Sequence, residues 1–262
     1  MEKIKQIIKK IPIISNIAKP IYRRFWGRKL NPAYWISEIV RKPDAMVVQI
    51  GSNDGLHDDP INVLIKKNSS WKCLLVEPVP YLFERLRQNY GNSARFKFVN
   101  AAINDGKTSR FYWVDQSAKQ HIPDLPSWYD QLGSFNRDHI KSELDGVLEP
   151  YIVSRVIQGI RLPDLLTREG IEHIDVLHID TEGYDWKILS QLDLRKFNPT
   201  IILYEHKHLP TQEKQASIRF LKERYLLYYL GQDIMAINKS TYKAELLTLF
   251  PLRCKEWLNF DV

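Results

Sequence analysis

Residues 47 to 55 read VVQIGSNDG, an apolar run that stops at Gly51 and reaches a second glycine, Gly55, through three small or polar residues. A run without alternation describes a strand buried on both faces, and the glycines mark the turn that opens the next helix. Gly51 lets the chain turn sharply. Gly55 removes a side chain where backbone approaches a ligand, while Asn53 and Asp54 tolerate turn geometry. Glu77 follows Gly55 by 22 residues, at the end of a second apolar run, CLLVE. An acid roughly 20 residues beyond a glycine turn is placed for ribose hydroxyls. The dinucleotide fingerprint G-x-G-x-x-G is incomplete, because Asn53 stands at its middle glycine, and a pyrophosphate fits poorly. The pattern predicts a nucleoside cofactor without a pyrophosphate, such as S-adenosylmethionine, although strand–glycine–helix junctions recur in α/β folds of every function.

The rest of the chain supports an α/β reading. Strands are expected at 46–50, 73–77, 95–100, 174–179 and 200–205, with helices from about residue 60 and at 81–90, 184–192 and 211–224. The last two apolar runs, YLLYYL and DIMAIN, flank Gly231, Gln232 and Asp233, a hairpin signal. A doubly wound, mostly parallel sheet with a C-terminal antiparallel hairpin follows. Between residues 108 and 162 the alternation breaks. SRFYWV reads there as an extra strand, and Ile140, Leu144, Val147 and Leu148 are spaced for one helical face. This insertion carries Trp113, His121, Trp128, Tyr129 and His139 and is read as a lid over the strand ends. The alternative is that its aromatic residues simply pack it down.

Charge is concentrated at one end. Residues 1 to 30 hold nine basic side chains and Glu2, whereas the remainder holds 29 basic and 30 acidic ones. A polynucleotide-binding face on the neutral body is not expected. Ile4, Ile7, Ile8 and Ile11 are spaced as one helical stripe among lysines, and Pro12 ends it. Two readings stay open for this arm: weak attachment to an anionic membrane surface, or packing against the body or a second subunit. Three segments result: an arm over 1–42, a domain over 43–240 and a tail over 241–262. The apolar run after Pro12 is too short and too polar for a span or a signal peptide, so a cytoplasmic protein is expected, with peripheral contact at the inner face of the membrane through the arm. Cys73 and Cys254 cannot make a disulfide framework, and Cys73 reads as a buried thiol.

With these residues in view the chain resembles the FkbM family of S-adenosylmethionine-dependent methyltransferases over roughly residues 46–238. The likeness rests on VVQIGSNDG, LLVEPVPYLFERLRQNY, NAAIND, RLPDLL and above all IDTEGYDWKIL, followed by a strand ending in Glu205. The resemblance implies a class I methyltransferase fold and methyl transfer to a hydroxyl of a sugar, a glycan or a polyketide-like small molecule. It places Gly51, Asn53 and Gly55 near the methionine part of the cofactor, Glu77 on the ribose, and Ala101 and Ala102 near the adenine. Gln49 stands where such enzymes often carry an acid and is counted with the cofactor-binding residues. His57, Asp58 and Asp59 fall at the cofactor entrance, with Asp59 read as a helix cap before Pro60.

Methyl transfer from a sulfonium asks the protein for alignment and for a base. Asp180 and Glu182 follow one central strand; Glu205, His206 and His208 follow the next. Asp180 and Glu205 are expected to face one another across the crevice, with Asp180 also touching the cofactor. Asp180, Glu205 and His206 are read as the catalytic group and as ligands for a divalent ion, Mg²⁺ or Mn²⁺. The alternatives are that Glu182 caps the following helix and that Glu205 only orients a histidine. His178, inside its strand, reads as a core residue. Two other functions compete: a nicotinamide-dependent oxidoreductase, and a non-catalytic protein that keeps the nucleoside pocket.

Overall fold

The computed structural model describes residues 31–241. In chain order the elements are α1 (Pro32–Ile39), β1 (Met46–Ile50), α2 (Asn62–Lys67), β2 (Lys72–Val76), α3 (Pro80–Tyr90), β3 (Phe96–Val99), β4 (Thr108–Val114), α4 (Ala118–His121) and α5 (Arg137–Ser142). They continue with β5 (Ile152–Gln158), α6 (Leu162–Arg168), β6 (Val176–Ile179), α7 (Asp185–Leu189), β7 (Ile201–Glu205), α8 (Thr211–Leu221), β8 (Tyr225–Leu230) and β9 (Asp233–Asn238).

Seven strands form the central sheet in the order β3-β2-β1-β6-β7-β9-β8. The first five of these are parallel, and β9 runs antiparallel to both β7 and β8. From β1 the chain builds outward to β2 and β3; from β6 it builds the other way. The carboxyl ends of β1 and β6 therefore flank the switch point at which ligands of open α/β sheets bind.

Both faces are covered, which explains the unbroken apolar strands. Val48, Ile50, Leu74 and Leu177 pack on one side with Leu165 and Ile188 of α6 and α7. Val47, Cys73, Leu75 and Val176 alternate to the other side, against Trp35, Ile36, Leu64 and Ile65 of α1 and α2. Residues 32–40, which the sequence reading groups with the basic arm, thus fold against the sheet, and Asn31 starts α1 by accepting the Ala33 N–H at 2.9 Å. Burial pushes the Cys73 thiol up to about 12, which makes it inert. The isoleucine stripe of the arm, the C-terminal tail beyond Thr241 and Cys254 lie outside the described residues. Among the described residues no helix is long and apolar enough to cross a membrane.

The insertion is a separate layer. β4 and β5 pair as a two-stranded antiparallel ribbon, and an Ile103–Ile160 bridge joins its base to the body. Val114, Ala118, Leu125, Tyr129, Ile140 and Leu148 form its own small core. The expected single helical face does not form. The helix ends at Ser142, Leu144 and Asp145 turn to φ of 51° and 54°, and Val147 is left 47% exposed. Gly146, also at positive φ, completes a turn that redirects the chain, so that Ile140 and Leu148 reach the core from separate segments.

Candidate active site

Three strand ends build a cleft on one side of the switch point. Asn53 takes φ 53° in the turn after β1 and donates its backbone N–H to Glu77 Oε2 at 2.8 Å; Val79 donates to Glu77 Oε1 at 2.8 Å. Glu77 is only 4% exposed, and burial, opposed by these two N–H groups, pushes its pKa up to about 7. A carboxylate oxygen has two lone pairs, so each still has one to offer a hydroxyl. Ala101, Ala102 and Ile103 line the same cleft, and Phe111 and Phe135 of the insertion close it in an edge contact of 5.1 Å. Tyr184 stands beyond, 4.9 Å from the Phe135 ring. Carboxylate and apolar slot together suit a ribose joined to a flat base.

Gly51 turns the chain at φ 79° as expected, whereas Gly55 does different work. A side chain on Gly51 would begin 1.8 Å from the carbonyl oxygen of Asp180, so it is the approach of the β6 end that requires glycine there. Its N–H donates to the Val76 carbonyl at 3.0 Å, and Gly51 still lines the cleft. Gly55 does not line it. A Cβ there would point at Tyr90 and Leu86 of α3, 2.4 and 2.5 Å away, so this glycine serves helix packing. Gln49 also lies behind the cleft, buried, where it donates from Nε2 to Nδ1 of His178 at 3.1 Å. Asp59 caps as expected, accepting the N–H groups of Ile61 and Asn62 at 2.8 and 3.2 Å.

A second, acidic crevice opens on the other side, and Asp180 and Glu182 border both. Asp180 presents surface to the crevice, and local desolvation, then the charges of Glu182, Glu205, Asp185 and Asp233, raise its pKa above the ordinary carboxylate value. Glu205, at the end of β7, is 9% exposed, and burial followed by the charges of Glu182 and Asp185 pushes it up to about 8. Asp180 and Glu205 thus share this crevice, as expected from adjacent parallel strands.

His206 does not join them. β7 ends at Glu205, and the turn after it sends His206 toward Tyr229, 4.9 Å between ring centres, where neither ring nitrogen has a hydrogen-bond partner. His208 takes the inward place instead, its Nε2 3.8 Å from Glu205 Oε1 and 3.6 Å from Glu182 Oε2. The expected set for Mg²⁺ or Mn²⁺, Asp180 with Glu205 and His206, is therefore not assembled. Glu182 is not a helix cap either: at φ 51° it turns its carboxylate to Nε2 of His139, 2.8 Å away. His178 is a core residue, its pKa lowered to about 4 by burial.

Of the five insertion residues singled out, Trp128 borders the acidic crevice and His139 reaches Glu182. Tyr129 packs inside the insertion, Trp113 stacks on Phe111, and His121 lies against Tyr151. The insertion is held to the body by Arg85, which pairs with Asp130 at 2.8 Å, and by Tyr81, whose hydroxyl donates to the Val114 carbonyl at 2.7 Å. Phe111, Phe135 and Asp185 were missed in the sequence. The first two needed the fold of the insertion, but Asp185 sits in the IDTEGYDWKIL block and was visible there.

The strand order, with one reversed strand between two of the parallel set, is that of class I methyltransferases. Residues 49–242 match the model of the methyltransferase FkbM domain, and the chain belongs to the FkbM family. A curated relative, 2-O-methyltransferase NoeI of Sinorhizobium fredii (strain NBRC 101917 / NGR234), is 27% identical over 157 residues, or 59% of this chain; the chain spans only 60% of that relative's length. Similar solved structures include human methyltransferase-like protein 13 with S-adenosylhomocysteine, at 13% identity and a TM-score of 0.40 over 86% of this chain and 85% of that one. Another is M. capricolum TrmK with S-adenosylhomocysteine, at 10% identity and a TM-score of 0.39 over 81% and 70%.

Proposed function

We propose that this protein transfers a methyl group from S-adenosylmethionine to a hydroxyl of a sugar or glycan, or of a polyketide-like small molecule. The observation that carries the reading is the position of Asp180: its carboxylate borders the cleft that holds Glu77 and also the acidic crevice that holds Glu205. Donor and acceptor sites thus meet at one acid. Bound S-adenosylmethionine supplies a methyl group already activated by its sulfonium. The residues present fit that cofactor, since Glu77 keeps lone pairs for ribose hydroxyls and the slot beside Ala101, Ala102 and Phe135 is apolar. Asn53 and the Gly51 backbone border the methionine end.

Within the crevice the protein's task is to orient a neutral hydroxyl and take its proton as the new carbon–oxygen bond forms. Glu205, with a pKa pushed up to about 8, is a base matched to neutral pH, and the pKa of Asp180 is raised as well. Trp128 offers a face on which a sugar ring can stack, at the rim of the crevice. The 2-O-methyltransferase relative supports oxygen as the acceptor atom. Peripheral attachment through residues 1 to 30 belongs to the same proposal, because nine basic side chains there suit an anionic surface.

Transfer of labelled methyl from S-adenosylmethionine to a panel of oligosaccharides tests it. Glu205→Gln is expected to abolish most turnover on the accepted sugar while keeping cofactor affinity, and Asp180→Asn, at a residue that borders both sites, to abolish most turnover with some loss of cofactor affinity. Wild-type turnover by both variants would remove the base assignment, and label found on nitrogen of an amino acceptor would overturn the hydroxyl reading.

A further inference from the structure

His139, Glu182 and His208 are brought together from α5 of the insertion, from the loop after β6 and from the loop after β7. One ligand atom from each lies within 4.8 Å of the other two, and among the described residues this is the one such group. Glu182 Oε2 is the centre: His139 Nε2 is 2.8 Å from it and His208 Nε2 is 3.6 Å from it. The two imidazoles meet edge to face, 4.7 Å between centres. Ligands held tetrahedrally at about 2.0–2.2 Å from a zinc-sized ion stand about 3.3 Å from one another, and the two measured spacings bracket that value. A second observation points to the same place. Glu205 Oε1 is 3.8 Å from His208 Nε2, while its Oε2, in a side chain 11% exposed, has no hydrogen-bond partner. Two imidazole nitrogens and the carboxylates of Glu182 and Glu205 thus lie close together, at a crevice that Lys207 also borders.

We propose that this cluster binds a divalent transition-metal ion, of the Zn²⁺ or Co²⁺ type rather than Mg²⁺, through His139, Glu182 and His208. Two imidazoles and one carboxylate are a donor set for borderline ions, whereas Mg²⁺ takes oxygen ligands almost exclusively. Three protein ligands leave a position open toward the crevice, where an acceptor oxygen can coordinate. The site also has a structural consequence. His139 is the sole ligand from the insertion, so the ion ties α5 to the ends of β6 and β7 and fixes the roof of the acceptor crevice. All seven histidines of the chain lie within the described residues, and the other five, at 57, 121, 173, 178 and 206, belong to no such group.

The test is calorimetric titration of tag-free, full-length, metal-stripped protein with Co²⁺, Zn²⁺ and Mg²⁺, with the visible spectrum of the Co²⁺ form as a second readout. One tight site for Co²⁺ and Zn²⁺ is expected, with weak or no binding of Mg²⁺. His139→Gln is the decisive variant, because its amide still donates to Glu182 but ligates poorly. It should lower Co²⁺ affinity at least tenfold and change the spectrum while melting like the parent. His208→Ala should do the same. Limited proteolysis supplies an independent measure: Zn²⁺ should protect the 137–149 segment in the parent and not in His139→Gln. Unchanged Co²⁺ affinity and spectrum in both variants, or Mg²⁺ bound as tightly as Zn²⁺, would overturn the proposal and leave a hydrogen-bonded relay in its place.

Discussion

Asp185 Oδ1 accepts the backbone N–H of Glu205 at 3.2 Å while its Oδ2 accepts the hydroxyl of Thr181 at 3.0 Å. One fully buried acid at the start of α7 therefore sets the spacing between the ends of β6 and β7, on which the two crevice carboxylates stand. Asp185→Ala is expected to strand two donors at about 1–3 kcal/mol each, lowering the melting temperature by several degrees and turnover by more than tenfold. Cofactor affinity should hardly change, because Asp185 does not line the cofactor cleft. Asp185→Asn keeps one acceptor and should recover part of both losses. Equal damage to cofactor binding and turnover, read by calorimetry and initial rates, would contradict this division of labour.

Glu77 has two tasks, and its removal should show both. Glu77→Ala takes away the acceptor of the Asn53 and Val79 N–H groups and, on our reading, the ribose contact. A charge-assisted hydrogen bond of roughly 1.5–3 kcal/mol corresponds to at least a tenfold loss of S-adenosylmethionine affinity. Differential scanning calorimetry should record a lower melting temperature in the same variant. A folded Glu77→Ala protein that binds the cofactor as tightly as the parent would remove the ribose assignment.

The two turn glycines should behave differently. Gly51→Ala drives a methyl group into backbone, the carbonyl of Asp180, which cannot give without moving β6. It is expected to prevent folding or to destabilise by more than about 4 kcal/mol, as steric conflict in a packed core does. Gly55→Ala meets only the side-chain ends of Leu86 and Tyr90 and should be the milder change, with cofactor affinity retained. Denaturant titration of the pair gives the ranking, and the reverse order would refute the packing argument.

Stability should fall on the alkaline side of neutrality. Burial raises Glu205 to about 8 and Glu77 and Asp185 to about 7, so the folded protein keeps protons that the unfolded chain has released. Such a contribution is complete below the unfolded pKa and is lost as pH rises through the folded value. His178, His206 and His208, whose pKa values are lowered chiefly by burial, act in the opposite sense, but only below about 6.5, where an unfolded histidine gains its proton. Between about pH 6.5 and about 8.5 the melting temperature of cofactor-free, metal-free protein is expected to drop, and Glu205→Gln should flatten the drop. A profile that rises over that window in the parent would exclude the raised acids.

The strands were legible because both faces of the sheet are covered, which leaves unbroken apolar runs such as MVVQI and TIILYE that fall within a residue of the observed elements. Glu77 and Asp180 were legible for a related reason, since a polar residue that ends such a run stands at the carboxyl edge. Residues 206 to 208 were not. Past Glu205 the strand period of two is lost in a turn, and sequence alone cannot tell that His208 points inward while His206 goes to Tyr229. The partnership of His139 with Glu182 spans 43 residues and depends on where the insertion folds back, so no local pattern encodes it. Gly55 is the instructive error: glycine at a turn signals close approach, but whether to a ligand or to Tyr90 depends on the helix that packs there.

On our reading the cleft around Gly51, Asn53 and Glu77 takes a nucleoside cofactor without a pyrophosphate. Calorimetric titration of the purified full-length protein with S-adenosylmethionine, S-adenosylhomocysteine and NAD measures this directly. Saturable binding of both S-adenosyl compounds, weakened at least tenfold by Glu77→Ala, with no heat from NAD, is the predicted result. Saturable binding of NAD with none of either S-adenosyl compound would overturn this assignment.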